Sequence, residues 1–239
     1  MRVKRSMIKI VVLIFAAAFI VTGCGNDKPV ELKYDFLENE EGWSADFSDL
    51  PADHEKDLYE LGFEYAKLPN ETGADKNALL IGGSNASDDL FMYIKKKLTK
   101  ADGIKPGTEY QIKIIVEFAT DAPKGAFGIG GPPGEAVFVK LGASGQEPVP
   151  VEKSGYLELN VDKGAQNDEG ENAILVGNAA KNSENEGYEL KKLDNFDRPL
   201  TANSDDNGDL WIFIGTDSGF EGRTEIYYSS IEIILEEVK

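Results

Sequence analysis

Among 239 residues there is one cysteine, one histidine and two tryptophans. A single thiol excludes a disulfide within the chain and any metal or redox site built from several cysteines, so a core here must be held by burial alone. The one histidine, His54, stands between Asp53 and the run Glu55-Lys56-Asp57, and reads as a solvated loop residue. Basic side chains are also scarce, 25 Lys and Arg against 43 Asp and Glu. Nucleic acid and anionic phospholipid are bound through Lys and Arg, so neither is an expected partner of this surface. A membrane span is missing too: Ile10 to Val21 is apolar, but a bilayer core takes about 20 such residues. Finally, the glycine-rich stretch Gly125 to Gly134 is no phosphate cradle. The last glycine of the dinucleotide pattern falls on Pro133, and no strand–loop–helix context surrounds it. A tight turn is the better account.

What stands at the start is a leader. Arg2, Lys4, Arg5 and Lys9 form a basic segment without acids, followed by the short apolar run and a small residue, Gly23. That order is a secretory signal. Val21-Thr22-Gly23-Cys24 resembles the lipobox of bacterial lipoproteins, which implies that Cys24 carries diacylglycerol, with acyl chains such as palmitate, and becomes the first residue of the processed chain. Two acyl chains suffice for stable anchoring where one does not. The expected division is therefore a signal peptide over 1–23, a lipidated N-terminus and tether over 24–31, and one domain over 32–239. Four of the 25 basic side chains precede Cys24 and none of the 43 acidic ones, leaving 21 against 43. The lipid, not the protein surface, is expected to hold the chain to the bacterial membrane on its extracytoplasmic side. The tether Gly25 to Glu31 reaches about 25 Å at most, so the folded body is expected to ride close to the bilayer.

Beyond Glu31 the dominant signal is alternation of period two, the mark of strands. Tyr110, Ile112, Ile114, Val116 and Phe118 alternate with Gln111, Lys113 and Glu117; Val137, Val139 and Leu141 repeat the pattern, as do Leu157, Leu159 and Val161. Tyr59, Leu61, Phe63 and Tyr65 predict a further strand, and Leu32–Phe36, Leu79–Gly82, Leu90–Leu98, Leu210–Thr216 and Thr224–Glu236 complete the set. Ile226 and Tyr228 share one parity while Ile231, Ile233 and Leu235 share the other, which places a β-bulge at Ser229-Ser230. Clusters of Gly, Pro, Asn and Asp separate the runs. The expected fold is all-β, a two-sheet sandwich. Asp162 to Gly187, rich in Asn, Glu, Asp and Gly, is a long connection of the kind that is either functional or disordered.

Tyr34-Asp35-Phe36-Leu37-Glu38 with Glu41-Gly42-Trp43 resembles the opening strand of jelly-roll domains of the carbohydrate-binding-module, galactose-binding-like kind. Leu98 through Tyr110, with its Lys-Pro-Gly-Thr-Glu-Tyr turn, is similar to their middle, and Tyr227 to Leu235 to the closing strand that pairs with the first. The chain also resembles uncharacterised exported bacterial proteins. The jelly-roll resemblance implies a binding domain rather than an enzyme, with extracellular glycan as ligand.

The candidate sites follow. Leu90-Phe91-Met92-Tyr93-Ile94 and Leu210-Trp211-Ile212-Phe213-Ile214 are apolar on both faces. With Leu210, Ile212 and Ile214 inward, Trp211, Phe213, Phe91 and Tyr93 face outward, either as an open platform for stacking sugar rings or covered by loops as a second core. Asn203, Asp205, Asn207 and Asp209 set oxygen ligands at alternate positions, resembling the front half of an EF-hand loop. Its twelfth position is Ile214, so a β-loop structural calcium site or a plain turn is expected instead. For catalysis, paired carboxylates could make a glycosidase, but among 43 acids no pair stands out. Thr216-Asp217-Ser218-Gly219 is similar to the serine motif of trypsin-like proteases, but Phe220 replaces the last glycine, and a serine nucleophile needs a base oriented by a third group. The alternative to glycan binding is an envelope interaction or assembly protein that offers its acidic surface to a protein partner.

Overall fold

The computed structural model describes residues 28–239; the leader and Cys24 lie outside them. In chain order the strands are β1 (Val30–Tyr34), β2 (Ser44–Ser48), β3 (Leu50–Pro51), β4 (Gly62–Lys67) and β5 (Asn77–Ser84). Then come β6 (Leu90–Leu98), β7 (Glu109–Thr120), β8 (Val137–Ser144), β9 (Pro150–Lys153) and β10 (Tyr156–Leu159). The last five are β11 (Ala173–Asn178), β12 (Glu189–Asp194), β13 (Leu200–Asn203), β14 (Leu210–Ser218) and β15 (Arg223–Glu237).

They pair antiparallel into two large sheets and a small one. The first sheet runs β12-β7-β15-β5-β4, with β1 also on β15 and β13 also on β7. The second runs β11-β8-β14-β6-β2. Facing each other, Ile112, Ile114 and Val116 of the first and Ile94, Leu141, Ile212 and Ile214 of the second make the main core. The all-β sandwich expected from the alternation is what forms. The closing strand does pair with the opening one, Leu32 opposite Ile233. The bulge falls where the parity changes, with the register of β15 on β7 shifting between Tyr228 and Ser230. The displaced Ser229 is buried, and its hydroxyl donates to the Glu117 carboxylate at 2.7 Å.

One expectation is corrected and one alternative left open is resolved. The strand predicted from Tyr59 begins only at Gly62; Lys56–Tyr59 is one helical turn, ended by Glu60 at φ 45°, and Tyr59 is buried from there. The long connection from Asp162 is ordered: it carries β11 as an edge strand on β8 and a lysine that matters below. The third sheet, β3-β10-β9, lies outside the main sandwich. It is built on the β9–β10 hairpin, whose Ser154-Gly155 turn has positive φ at both residues, the backbone twist that suits a tight hairpin.

Candidate functional site

The site grows from the outward face of the second sheet. Side chains alternate along a strand, so with Met92, Ile94, Leu141, Ile212 and Ile214 inward, the rows facing out follow from the register. Lys97, Trp211 and Ser144 form one row; Lys95, Phe213 and Gly142 the next; then Tyr93, Gly215 and Lys140; then Phe91, Asp217 and Phe138. The two glycines are needed for space. A Cβ at Gly142 would strike the Phe213 ring, and one at Gly215 would come within 2.7 Å of the Phe91 ring. Each ring thus folds over a bare stretch of the neighbouring backbone.

These rings are not an open platform. Phe91, Tyr93 and Phe213 are fully buried, because the segment carrying β9 and β10 folds across them as a flap. Leu159 and Val161, with Ala173 at the start of β11, close a second core on them. Phe91 stacks on Tyr93 at 5.1 Å, and Tyr93 meets Phe213 edge-on at 6.3 Å. Of the four aromatic candidates only Trp211 stays half-buried, flanked by the Lys95 and Lys97 ammoniums at 5.6 and 5.8 Å from its ring. The platform fails as an open surface because a strand apolar on both faces gains by burying both.

The last two rows carry charge into this second core. Lys140 and Asp217 are both fully buried and 2.9 Å apart. Lys163, on the flap just after β10, reaches the same Asp217 oxygen at 2.7 Å and Asp49 at 2.6 Å. Asp49 sits between β2 and β3 at φ 63°. Lys140 also donates to the carbonyl of Lys163 at 2.9 Å, and the Lys163 ammonium lies 5.0 Å over the Phe91 ring. Asp89, just before β6, completes the group: one oxygen from each of Asp49, Asp89 and Asp217 lie within 4.8 Å of one another. Buried charges persist only when paired and hydrogen-bonded. Burial pulls the Lys140 ammonium down while Asp217 opposes it. Burial also pulls at Lys163, but Asp217 and Asp49 outweigh it and hold its ammonium above the ordinary lysine value.

Above this cluster opens a cleft of about 620 Å³. Its walls include Asp49, Asp89 and Lys163 from the cluster, Ser87 and Asn160, and Tyr156 and Glu158 from β10. The Tyr156 ring is 50% exposed. Glu158 is paired to Lys153 across the hairpin at 3.2 Å. The lining therefore offers one half-exposed aromatic residue beside carboxylates, a hydroxyl and ammoniums, while the Asn160 amide is spent on the backbone of Val149 and Glu147.

The remaining candidates are placed elsewhere. Asn203 is an exposed residue of β13 opposite Glu109. Asp205 accepts from the backbone amides of Asn207 at 2.9 Å and Asp209 at 2.7 Å, and Asp209 pairs with Lys97. The alternating oxygens are thus used in closing a turn. Ser218 is buried and donates to the Phe220 carbonyl at 2.9 Å, and His54 is bound to the Pro51 carbonyl at 3.0 Å. Asp49, Asp89, Lys140 and Lys163 escape a reading by motif because four separate segments supply them. The available signal was a charge at an outward position of a strand otherwise apolar, as Lys140 is in β8 and Asp217 in β14.

The geometry defines a two-sheet β-sandwich with a flap-covered second core and a cleft beside it. No family model matches the chain, and no curated protein does. Solved structures do resemble it. One is a xylan-binding domain from Paenibacillus barcinonensis, 11% identical, covering 89% of this chain and 97% of that one, with a TM-score of 0.43. Another is a family 22 carbohydrate-binding module of Clostridium thermocellum, 12% identical over 86% of this chain and 92% of that one, TM-score 0.37. A third is an adhesin domain of Lys-gingipain from Porphyromonas gingivalis, 13% identical over 85% and 96%, TM-score 0.36.

Proposed function

We propose that this protein is a lipid-anchored, extracytoplasmic binding protein that holds a glycan, without cleaving it, in the cleft beside Tyr156. One observation carries the reading: a half-exposed tyrosine in the lining of a cleft that mixes apolar side chains, Leu159 and Val161, with acids, a serine and lysines. A sugar presents an apolar ring face and a rim of hydroxyls. The first suits an aromatic surface, the second suits carboxylates, hydroxyls and ammoniums that accept or donate, and a cleft joining them is the ordinary form of a small-ligand site.

The anchor rests on the sequence at Val21–Cys24, and the fold is consistent with it. β1 starts at Val30, opposite Leu235 near the end of β15, while Asp217 and the cleft lie near Ser218, at the end where β15 begins. From Arg223 to Leu235 is about 40 Å at roughly 3.3 Å per residue. A chain held by Cys24 hangs from one end of the sandwich and presents its cleft toward the other.

Cleavage needs two carboxyl groups flanking the scissile bond, about 5 Å apart or more. Of the clustered acids, Asp217 is fully buried with its carboxylate held by Lys140 and Lys163, so it is not free to serve as one of such a pair. Titration calorimetry against a panel of soluble polysaccharides tests the reading. Tyr156→Ala is expected to weaken binding about tenfold, the worth of one aromatic contact, and Trp211→Ala to leave it unchanged. Silence across the panel, or loss with Trp211→Ala alone, would sink it. Cys24→Ser should release the protein from membranes.

A further inference from the structure

The buried cluster has an unbalanced charge. Asp49, Asp89 and Asp217 bring three negative charges if all are ionised, and Lys140 and Lys163 bring two positive ones. The Oδ1 atoms of Asp89 and Asp217 are buried with no hydrogen-bond partner, and Asp217 is 0% exposed. Neighbouring carboxylates repel, and an oxygen of each is desolvated without a donor to compensate it. One further positive charge resolves both faults. A divalent metal would leave the group at plus one beside two ammoniums, whereas a proton brings it to neutrality and gives each oxygen a partner.

We propose that Asp89 and Asp217 bind one proton between them at neutral pH, Asp89 as the carboxylic acid and Asp217 as the acceptor, and that this proton locks the wall of the cleft. Its role in ligand binding rests on the glycan reading above; the proton site itself does not. Every charged group packed against Asp89 takes part. Asp217 comes from β14, Asp49 from the bend between β2 and β3, Lys140 from β8 and Lys163 from the flap, with Lys153, Glu158 and Asp162 along the cleft outside them. Burial first, then Asp217 and Asp49, push the Asp89 carboxyl up to about 8, with Lys163 opposing. The loop before β6 is also tied to the flap beyond Lys163, since Gln166 donates to the Asp88 carbonyl at 2.8 Å. When the proton leaves for a base in solution, the cluster carries a net negative charge under the flap and this seam is driven apart. Because the folded-state value lies above the unfolded one, the contribution of Asp89 to stability is fully present on the acid side and is lost as pH rises from about 4 to about 8.

Carboxyl-carbon NMR of the whole ligand-free processed protein, titrated from about pH 5 to 10, reads the site directly. The Asp89 resonance is expected to titrate near 8 rather than near 4. Asp89→Asn keeps a donor and removes the charge. It is expected to fold, to abolish this titration and to keep at pH 9 the melting temperature that wild type loses. An Asp89 midpoint near 4 would overturn the proposal. So would a melting temperature raised by millimolar calcium or magnesium in wild type but not in Asp89→Asn, which would put a metal in the proton's place. If no glycan binds at any pH, only the function above fails; the midpoint near 8 stands by itself.

Discussion

The two faces of the β6-β14-β8 sheet solve the same problem in different ways. The inner face buries Met92, Ile94, Leu141, Ile212 and Ile214 against a second full sheet. The outer face buries Phe91, Tyr93 and Phe213 under little more than Leu159, Val161 and Ala173, and adds Lys140 and Asp217, both fully buried. Apolar contact is roughly proportional to area and does not depend on partner identity. A buried ion pair depends on every member being present. The inner face is therefore tolerant and strong, while the outer face is specific and brittle, and its thin cover is expected to open before the sandwich unfolds.

The sharpest way to break the contrast is Asp217→Ala. It leaves Lys140 buried without its counter-charge and removes one of the two carboxylate partners of Lys163. The expected loss is about 3–5 kcal/mol in denaturant unfolding, the cost of breaking a buried pair by removing one partner. A loss under about 1 kcal/mol would mean that water already reaches the cluster. Next comes a matched pair, Ile212→Ala inside and Leu159→Ala outside. The first is expected to lower global stability by about 2–5 kcal/mol. The second is expected to cost about 2 kcal/mol or less and to speed amide exchange mainly in residues 150–161, with β7 and β15 unchanged. Equal global losses would show that the flap is no separate unit. A third test is Gly142→Ala, where the new methyl strikes the Phe213 ring. Overpacking costs about 1–3 kcal/mol, and the cost should nearly vanish in a Phe213→Leu background, since contacting sites do not add.

The same contrast decides what could be read from the sequence. The inner face is written in one local rule, alternation, and β7, β8, β14 and the bulge at Ser229 all follow from it. Tyr59 misled because its parity matches β4 although a helical turn holds it. The outer face needs knowledge of what lies on top. Phe91 and Phe213 show a second apolar parity, but whether the rings meet solvent or a flap is decided by residues more than fifty positions away. The ion cluster was least legible. Asp49, Asp89, Lys140, Lys163 and Asp217 are scattered over 168 positions of the sequence, and no spacing rule links them. In a chain with 43 acids, the three that meet could be selected only by the fold.

The smallest expected effect concerns the turn at 203–209, whose oxygens also suit calcium. Calcium would have to take Asp205 Oδ1 from two backbone amides, those of Asn207 and Asp209, and Asp209 from Lys97. An oxygen aimed at N–H donors gains little from exchanging them for an ion in an exposed turn, where water competes for every ligand. Millimolar calcium is therefore expected to leave the melting temperature unchanged; a rise, with heat in calorimetry that Asp205→Ala removes, would restore the metal. The carboxylate has a signature of its own. Backbone amides, Asp209 first, hold Asp205 below the usual carboxylate value of 3.8. Its contribution is present above that value and is lost as pH falls through the lower, folded one. Asp205→Ala should thus cost a little stability at neutral pH and nothing in strong acid, opposite in sense to Asp89 on the brittle face, whose proton is needed in place rather than absent.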